Sequence, residues 1–189
     1  MRVAVPQKSI RRILRWLRAA LLASAAGMLG YCAIAVADTW MFQRQASLRF
    51  DGSHINTPAM DGLVGRMDIP RLGVSVVIAE GTADAILRRA AGHILGTGLP
   101  GHPGNVGIAG HRDTLFRPLR NIRQEDLIVL TTLQGEYHYR VISTKIVDPS
   151  DVAVLDPDGQ EVLTLVTCYP FYFVGPSPDR FIVRAGRLR

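Results

Sequence analysis

The sequence predicts an all-β domain, a single barrel or sandwich, carried behind one membrane-spanning helix. Three observations lead there. Residues 63–186 divide into seven or eight short strand-like runs punctuated by Gly and Pro. One segment of that region, Ala83 to Ala91, reads as a proper helix. Ahead of it all, Ala19 to Ala37 (AALLASAAGMLGYCAIAVA) holds 19 residues without a charge.

Charge placement sets the chain's direction. Residues 1–18 hold six of the 22 basic residues and no acid, so the other 16 basic residues balance 16 acidic ones. The basic character therefore belongs to the tail, which argues against nucleic acid as a partner. As a helix the uncharged stretch spans about 28 Å, close to a bilayer's hydrocarbon thickness. Basic residues before it place the N-terminus in the cytoplasm, and Trp40 lies where interfacial aromatics are common. Ala35-Val36-Ala37 has the form of a cleavage site, but the apolar run exceeds a signal-peptide core, which favours an uncleaved anchor. The expected organisation is a cytoplasmic basic tail (1–18), a single-pass signal-anchor (19–37), a juxtamembrane helix fading into a linker (38–62) and an extracytoplasmic domain (63–189).

Within that domain, LVGRMDIP and VSVVIAE read as strands split by a turn at Arg71-Leu72-Gly73. Thr82 is the expected N-cap of the helix Ala83–Ala91, and Gly92 its terminator. A Gly/Pro loop to Gly104 leads into the strand NVGIAG, followed by a helical turn in TLFRPLRNI. LIVLTT and EYHYRVISTKIVD form a hairpin with Gly135 at its tip. Asp156-Pro157-Asp158-Gly159 marks a turn before EVLTLVTC, and a Pro/Gly-rich loop (Tyr169–Asp179) precedes RFIVRA.

The run Glu161–Cys168 organises the rest. Side chains two apart in a strand share a face, so Thr164, Val166 and Cys168 point one way and the thiol stands at the tip. A lone Cys in an apolar strand is more often packing than chemistry. Here, though, Cys32 lies in the apolar segment, and an unpaired exported thiol must be hidden or used. Of five histidines, His54 falls in the linker, His138 in an alternating strand, His93 behind a helix end and His102 in a Gly/Pro loop. His111 ends an apolar strand and shares a face with small Ala109, which leaves room for a ligand; a histidine capping a turn with Asp113 is the competing use. Arg180 opens a strand right after the loop leaving Cys168. Arg184 shares its face, and strand geometry by itself does not separate them. There is no Cys-x-x-Cys or His-x-x-x-His pair for a metal and no phosphate-binding glycine loop, so no cofactor is expected.

LPGHPGNVGIAGHRDT, TLVTCYPF and RFIVR together resemble the sortase family, most closely its class D branch, across residues 63–186. The resemblance implies an eight-stranded sortase-type β-barrel with one or two short helices. It also implies Cys168 as nucleophile, His111 as acid/base and Arg180, in preference to Arg184, as oxyanion stabiliser. Ala109, Thr164, Val166 and Thr167 match positions lining the family's sorting-signal groove. The calcium site of some members does not carry over, because no acidic cluster matches it. The implied partners are secreted proteins with LPxTG-like C-terminal signals and an amine acceptor in the cell envelope or on a pilin. Papain-like peptidases order Cys before His, and L,D-transpeptidases set their Cys in a Ser-His-Gly-Cys context; neither pattern occurs here. The alternative is a membrane-anchored, non-enzymatic β-barrel binding module with a structural cysteine.

Overall fold

A computed structural model describes residues 7–52, 62–157, 159–172 and 175–188, with side chains in the first segment described for residues 11–44. The chain divides into two units, residues 1–41 and 42–189. The first is helical, and its helix α1 continues past residue 41, running Gln7–Gly52; the stretch Arg11–Arg44, whose apolar 18-residue centre has mean hydropathy 1.9, is long and apolar enough to cross a membrane. The helix is longer than the sequence suggests, because no proline interrupts residues 7–52, and it starts directly after Pro6. His54 and the expected linker from 53 to 61 lie outside the described residues, as does Asp158 of the expected turn.

The second unit is a closed barrel. Its strands are β1 (Leu63–Ile69), β2 (Val74–Glu80), β3 (Ala91–His93), β4 (Gly104–Ala109), β5 (Leu127–Thr131), β6 (Glu136–Val147), β7 (Glu161–Tyr169) and β8 (Asp179–Arg187). They close in the order β1-β2-β3-β4-β7-β8-β6-β5, with β2–β3 and β4–β7 parallel and the other pairs antiparallel. Closure removes the exposed sheet edges that short strands would otherwise present. Met67, Ile78, Val106, Ile108, Leu130, Val141, Leu163, Leu165 and Val183 fill the interior and are essentially inaccessible to solvent. Gly73, at φ 62°, ends the turn between β1 and β2 in the left-handed conformation that glycine adopts without strain.

Two local expectations are corrected. The helix after β2, α2, covers just Asp84–Leu87; Ala83 stands at its N-cap position and no side chain caps it, so Thr82 does not. Ala91–His93 is a strand, which moves Gly92 from helix terminator to sheet. A Cβ at Gly92 would lie 2.3 Å from the Gly81 carbonyl oxygen, so the two chain segments approach too closely for any side chain. His93 accordingly is buried: Nδ1 faces Glu80 Oε1 at 2.9 Å and Nε2 faces the Gly98 carbonyl at 2.8 Å. Tertiary pairing, not helix-dipole complementarity, sets its position.

Candidate active site

Three neighbouring strands, β4, β7 and β8, build the site on the barrel's outer face. Their inward residues are core: Val106 and Ile108, Leu163 and Leu165, Val183 and Ala185. Alternation then turns the other set outward: Gly107 and Ala109, Thr164, Val166 and Cys168, Arg180, Ile182 and Arg184. The register aligns them in rungs. Ala109 pairs with Val166, and Val166 with Ile182; Thr164 pairs with Gly107 and Arg184. Cys168 pairs with Arg180. Directly opposed residues of an antiparallel pair lie about 5 Å apart at Cα and project from the same face.

His111 completes the row from the other side. It stands two residues beyond Ala109, as Cys168 stands two beyond Val166 in the parallel partner strand. The ladder continues past the end of β4, because the Gly110 N–H donates to the Val166 carbonyl at 3.1 Å. Gly110 is glycine for a steric reason: a Cβ there would sit 2.7 Å from the fully buried ring of Phe116. The Phe116 N–H in turn donates to the His111 carbonyl at 3.1 Å, closing the turn that displays the imidazole. His111 Nε2 lies 3.8 Å from Asp84 Oδ1, and its side chain is 39% exposed.

Cys168 is a free, half-buried thiol. Arg180 is half-buried as well, and its Nη1 donates to the Asp179 carbonyl at 3.0 Å. Arg184 shares the face but lies four residues along β8, about 13 Å away at strand rise. There it lines a pocket of about 280 Å³ with Ser143, Lys145, Asp151, Ala153, Val154 and Ile182. Register therefore separates the two arginines where periodicity could not.

The four expected groove residues fall into two groups. Ala109 and Val166 are half-buried and flank the Cys168 row. Thr164 faces outward yet is fully buried, because the turn Val152–Leu155 folds over it. Its hydroxyl donates to Asn105 Oδ1 at 2.7 Å, and Asn105 Nδ2 donates to the Val154 carbonyl at 3.0 Å. Thr167 turns to the opposite side from Cys168, is 3% exposed, and donates to the Gly110 carbonyl at 2.7 Å. It thereby ties the His111 segment to the Cys168 strand. Beneath the same end, Tyr169, Phe171 and Phe181 pack edge-on and stacked at centroid separations of 5.3 to 6.4 Å.

Sequence reasoning passed over Arg112. It sits in a turn between His111 and Asp113, where an arginine is ordinarily solvated. In the structure it is 5% exposed and bonded across to the loop that joins Cys168 to Arg180.

A model of the sortase domain matches residues 67–188. This chain belongs to the sortase family. The segments around His111, Cys168 and Arg180 stand within that matched span. Sortase D of Bacillus subtilis is 35% identical over 125 residues, covering 66% of this chain and 63% of that protein. Sortase A of Listeria monocytogenes is 35% identical over 112 residues, 57% of this chain and 50% of that one. The chain thus spans half to just under two thirds of the length of these relatives. Among solved structures, a Sortase D5 transpeptidase of Clostridium perfringens superposes with TM-score 0.66 at 29% identity, covering 81% of this chain and 99% of that one. Sortase A of Corynebacterium diphtheriae superposes with TM-score 0.65 at 32% identity over 70% of this chain and 63% of that one. The eight-stranded sortase barrel is thus common to sequence resemblance and observed architecture.

Proposed function

We propose that this sortase is a membrane-anchored cysteine transpeptidase that cleaves an LPxTG-like C-terminal sorting signal and transfers the released acyl group to an amine. The observation that carries the reading is the Cys168–Arg180 rung, with the His111 segment bonded to the same strand on its other side.

In the proposed cycle, Cys168 as thiolate attacks the carbonyl carbon after the Thr-like residue of the signal. A C–S bond forms as the carbonyl π pair moves to oxygen. The Arg180 guanidinium stabilises that oxyanion. Collapse breaks the C–N bond, and His111 as imidazolium gives the leaving amine its proton. The product is a thioester on Cys168. The imidazole then takes a proton from the incoming amine, whose nitrogen attacks the thioester; the C–S bond breaks and the thiolate is regenerated. No net oxidation occurs. The acceptor is an amine of the cell envelope or a pilin lysine.

Ala109 and Val166 are the proposed floor of the donor groove. Thr164 and Thr167 tie its strands together, since their hydroxyls bond Asn105 Oδ1 and the Gly110 carbonyl. Six basic residues before the apolar part of α1 support an anchor with its N-terminus in the cytoplasm and the barrel outside. The test uses the full-length chain in detergent micelles with LPxTG-type peptides and a primary amine. A mass adduct on Cys168 equal to the acyl fragment, discharged by the amine, is the expected result. A folded protein that forms no adduct across a broad peptide set would sink the proposal.

A further inference from the structure

Arg112 immediately follows His111 in the chain, so it projects to the other side of the same turn. A guanidinium carries five N–H donors in a rigid plane and no acceptor, and burying one demands several acceptors at fixed positions. Arg112 finds them on the loop that connects β7 to β8. Its Nη1 donates to the Pro170 carbonyl at 3.1 Å and to Ser177 Oγ at 2.7 Å. Its Nη2 donates to the Gly175 carbonyl at 3.0 Å, and its Nε lies 3.5 Å from Asp113 Oδ1. Ser177 passes the hold onward, since its hydroxyl donates to the Tyr169 carbonyl.

We infer that Arg112 is a positioning residue, a clamp that fixes both ends of the β7–β8 loop and thereby holds Cys168, Arg180 and His111 in one geometry. The inference rests on the catalytic reading of those three residues. The topology is what makes the clamp necessary. Cys168 and Arg180 are opposed at the last rungs of an antiparallel pair, where ladder bonds end and the loop takes over. That loop is rich in Pro and Gly, and its described residues, 170–172 and 175–178, have no ladder of their own. Without cross-bonding, its ends would sample many conformations and the last rungs would fray with them. One side chain, covalently next to His111, bonds two residues beyond Cys168 and three residues before Arg180. Lysine could not replace it, because a point ammonium cannot present the planar fork that reaches three separated acceptors.

The experiment compares full-length variants in detergent micelles under single-turnover conditions with an LPxTG-type peptide. Arg112→Met is expected to slow acylation of Cys168 by roughly 30- to 100-fold, the scale of an ångström-level misplacement of reacting groups. Affinity for the peptide, measured in the Cys168→Ala background by fluorescence anisotropy, is expected to change less than about 3-fold, because the clamp's bonds run to Pro170, Gly175 and Ser177, which lie outside the proposed donor groove. Arg112→Lys should recover only part of the rate. Ser177→Ala, which keeps the arginine and removes one bridge, should slow acylation by about 3- to 10-fold. Val141→Ala, a cavity in the core on β6, serves as reference for mere destabilisation and should acylate within about 2-fold of wild type while folded. Wild-type acylation by folded Arg112→Met, full rescue by lysine, or equal slowing in Val141→Ala overturns the clamp. If Arg112→Met does not fold, an unchanged rate in Ser177→Ala overturns it. Absence of acylation by the wild-type chain would instead defeat the catalytic reading itself.

Discussion

The two ends of β7 are built on opposite plans. At its start, Glu161 is enclosed by donors: the hydroxyl of fully buried Tyr139 at 2.5 Å, the Gly101 N–H at 3.0 Å, and Arg187 Nε at 3.5 Å. Arg187 also lies over the rings of Tyr137 and Tyr139, with centroid distances of 4.9 and 5.6 Å, and donates to the His138 carbonyl. Burial, followed by the bond to Glu161, pushes the Tyr139 hydroxyl well above the usual phenol range. At its far end the same strand presents a half-buried thiol beside a half-buried arginine and a partly exposed imidazole. One end uses its polar groups on one another. The other leaves them partly exposed, with Thr167 and Arg112 bonded one layer behind them.

The contrast can be broken most severely at the reacting end. Cys168→Ala should eliminate the acyl adduct and lower transfer by roughly 10³-fold or more, with little change in Tm. Mass spectrometry and product chromatography on the full-length chain check both. Retained transfer would mean that the exposed end does no chemistry.

Next in size is the arginine pair. Arg180→Ala should reduce kcat/KM by about 10²- to 10³-fold, the scale of losing an oxyanion donor, whereas Arg184→Ala should cost less than about 10-fold. Equal losses would show that the register does not select the working guanidinium.

The enclosed end should respond in the opposite currency. Tyr139→Phe removes one of the bonds to Glu161 and should destabilise the barrel by about 1–2 kcal/mol, read by urea denaturation followed in the near-ultraviolet, with acylation unchanged. A catalytic defect without a stability loss would erase the distinction between the two ends.

The smallest effect belongs to neither end. Asp126 is 7% exposed and bonded by Arg71 through both carboxylate oxygens and by the Arg123 N–H at 2.8 Å. The bond from Arg71 holds its carboxyl below the ordinary range. A lowered folded-state pKa contributes stability that is present above about pH 4 and lost as pH falls through the folded value. Asp126→Asn should therefore be less stable than wild type at pH 6 by about 1 kcal/mol, and the gap should narrow toward pH 3. A gap independent of pH would mean that the pair contributes packing and no linked proton.

Most of this fold was legible along the chain. The alternation of β1, β2, β5, β6 and β8 and the apolar run of β7 survive almost residue for residue, because burial on one face of a pleated strand writes itself as a period of two. β3 was not legible. Three residues with glycine at the centre carry no period, and they become a strand solely because Glu80 and Ile108 lie beside His93. α2 was read as longer for the same reason, since Ala91 belongs to that strand. The outward set Ala109, Val166 and Cys168 followed from spacing. That Thr164 would be covered did not, because the turn covering it comes from nine or more residues away in sequence and reaches it through Asn105.

The order of the motifs, the spacing that turns Cys168 outward and the basic-then-apolar start are local properties, so sequence alone determines the barrel class, the candidate thiol and the candidate anchor. Which arginine faces the thiol, which groove residue is open and what steadies the loop between them depend on register and on which outer faces are covered. Those are relations between residues distant in the chain, with energies that exist only after the barrel closes. Arg112 is the clearest instance: its charge reads as surface until the loop it bonds has folded back over it.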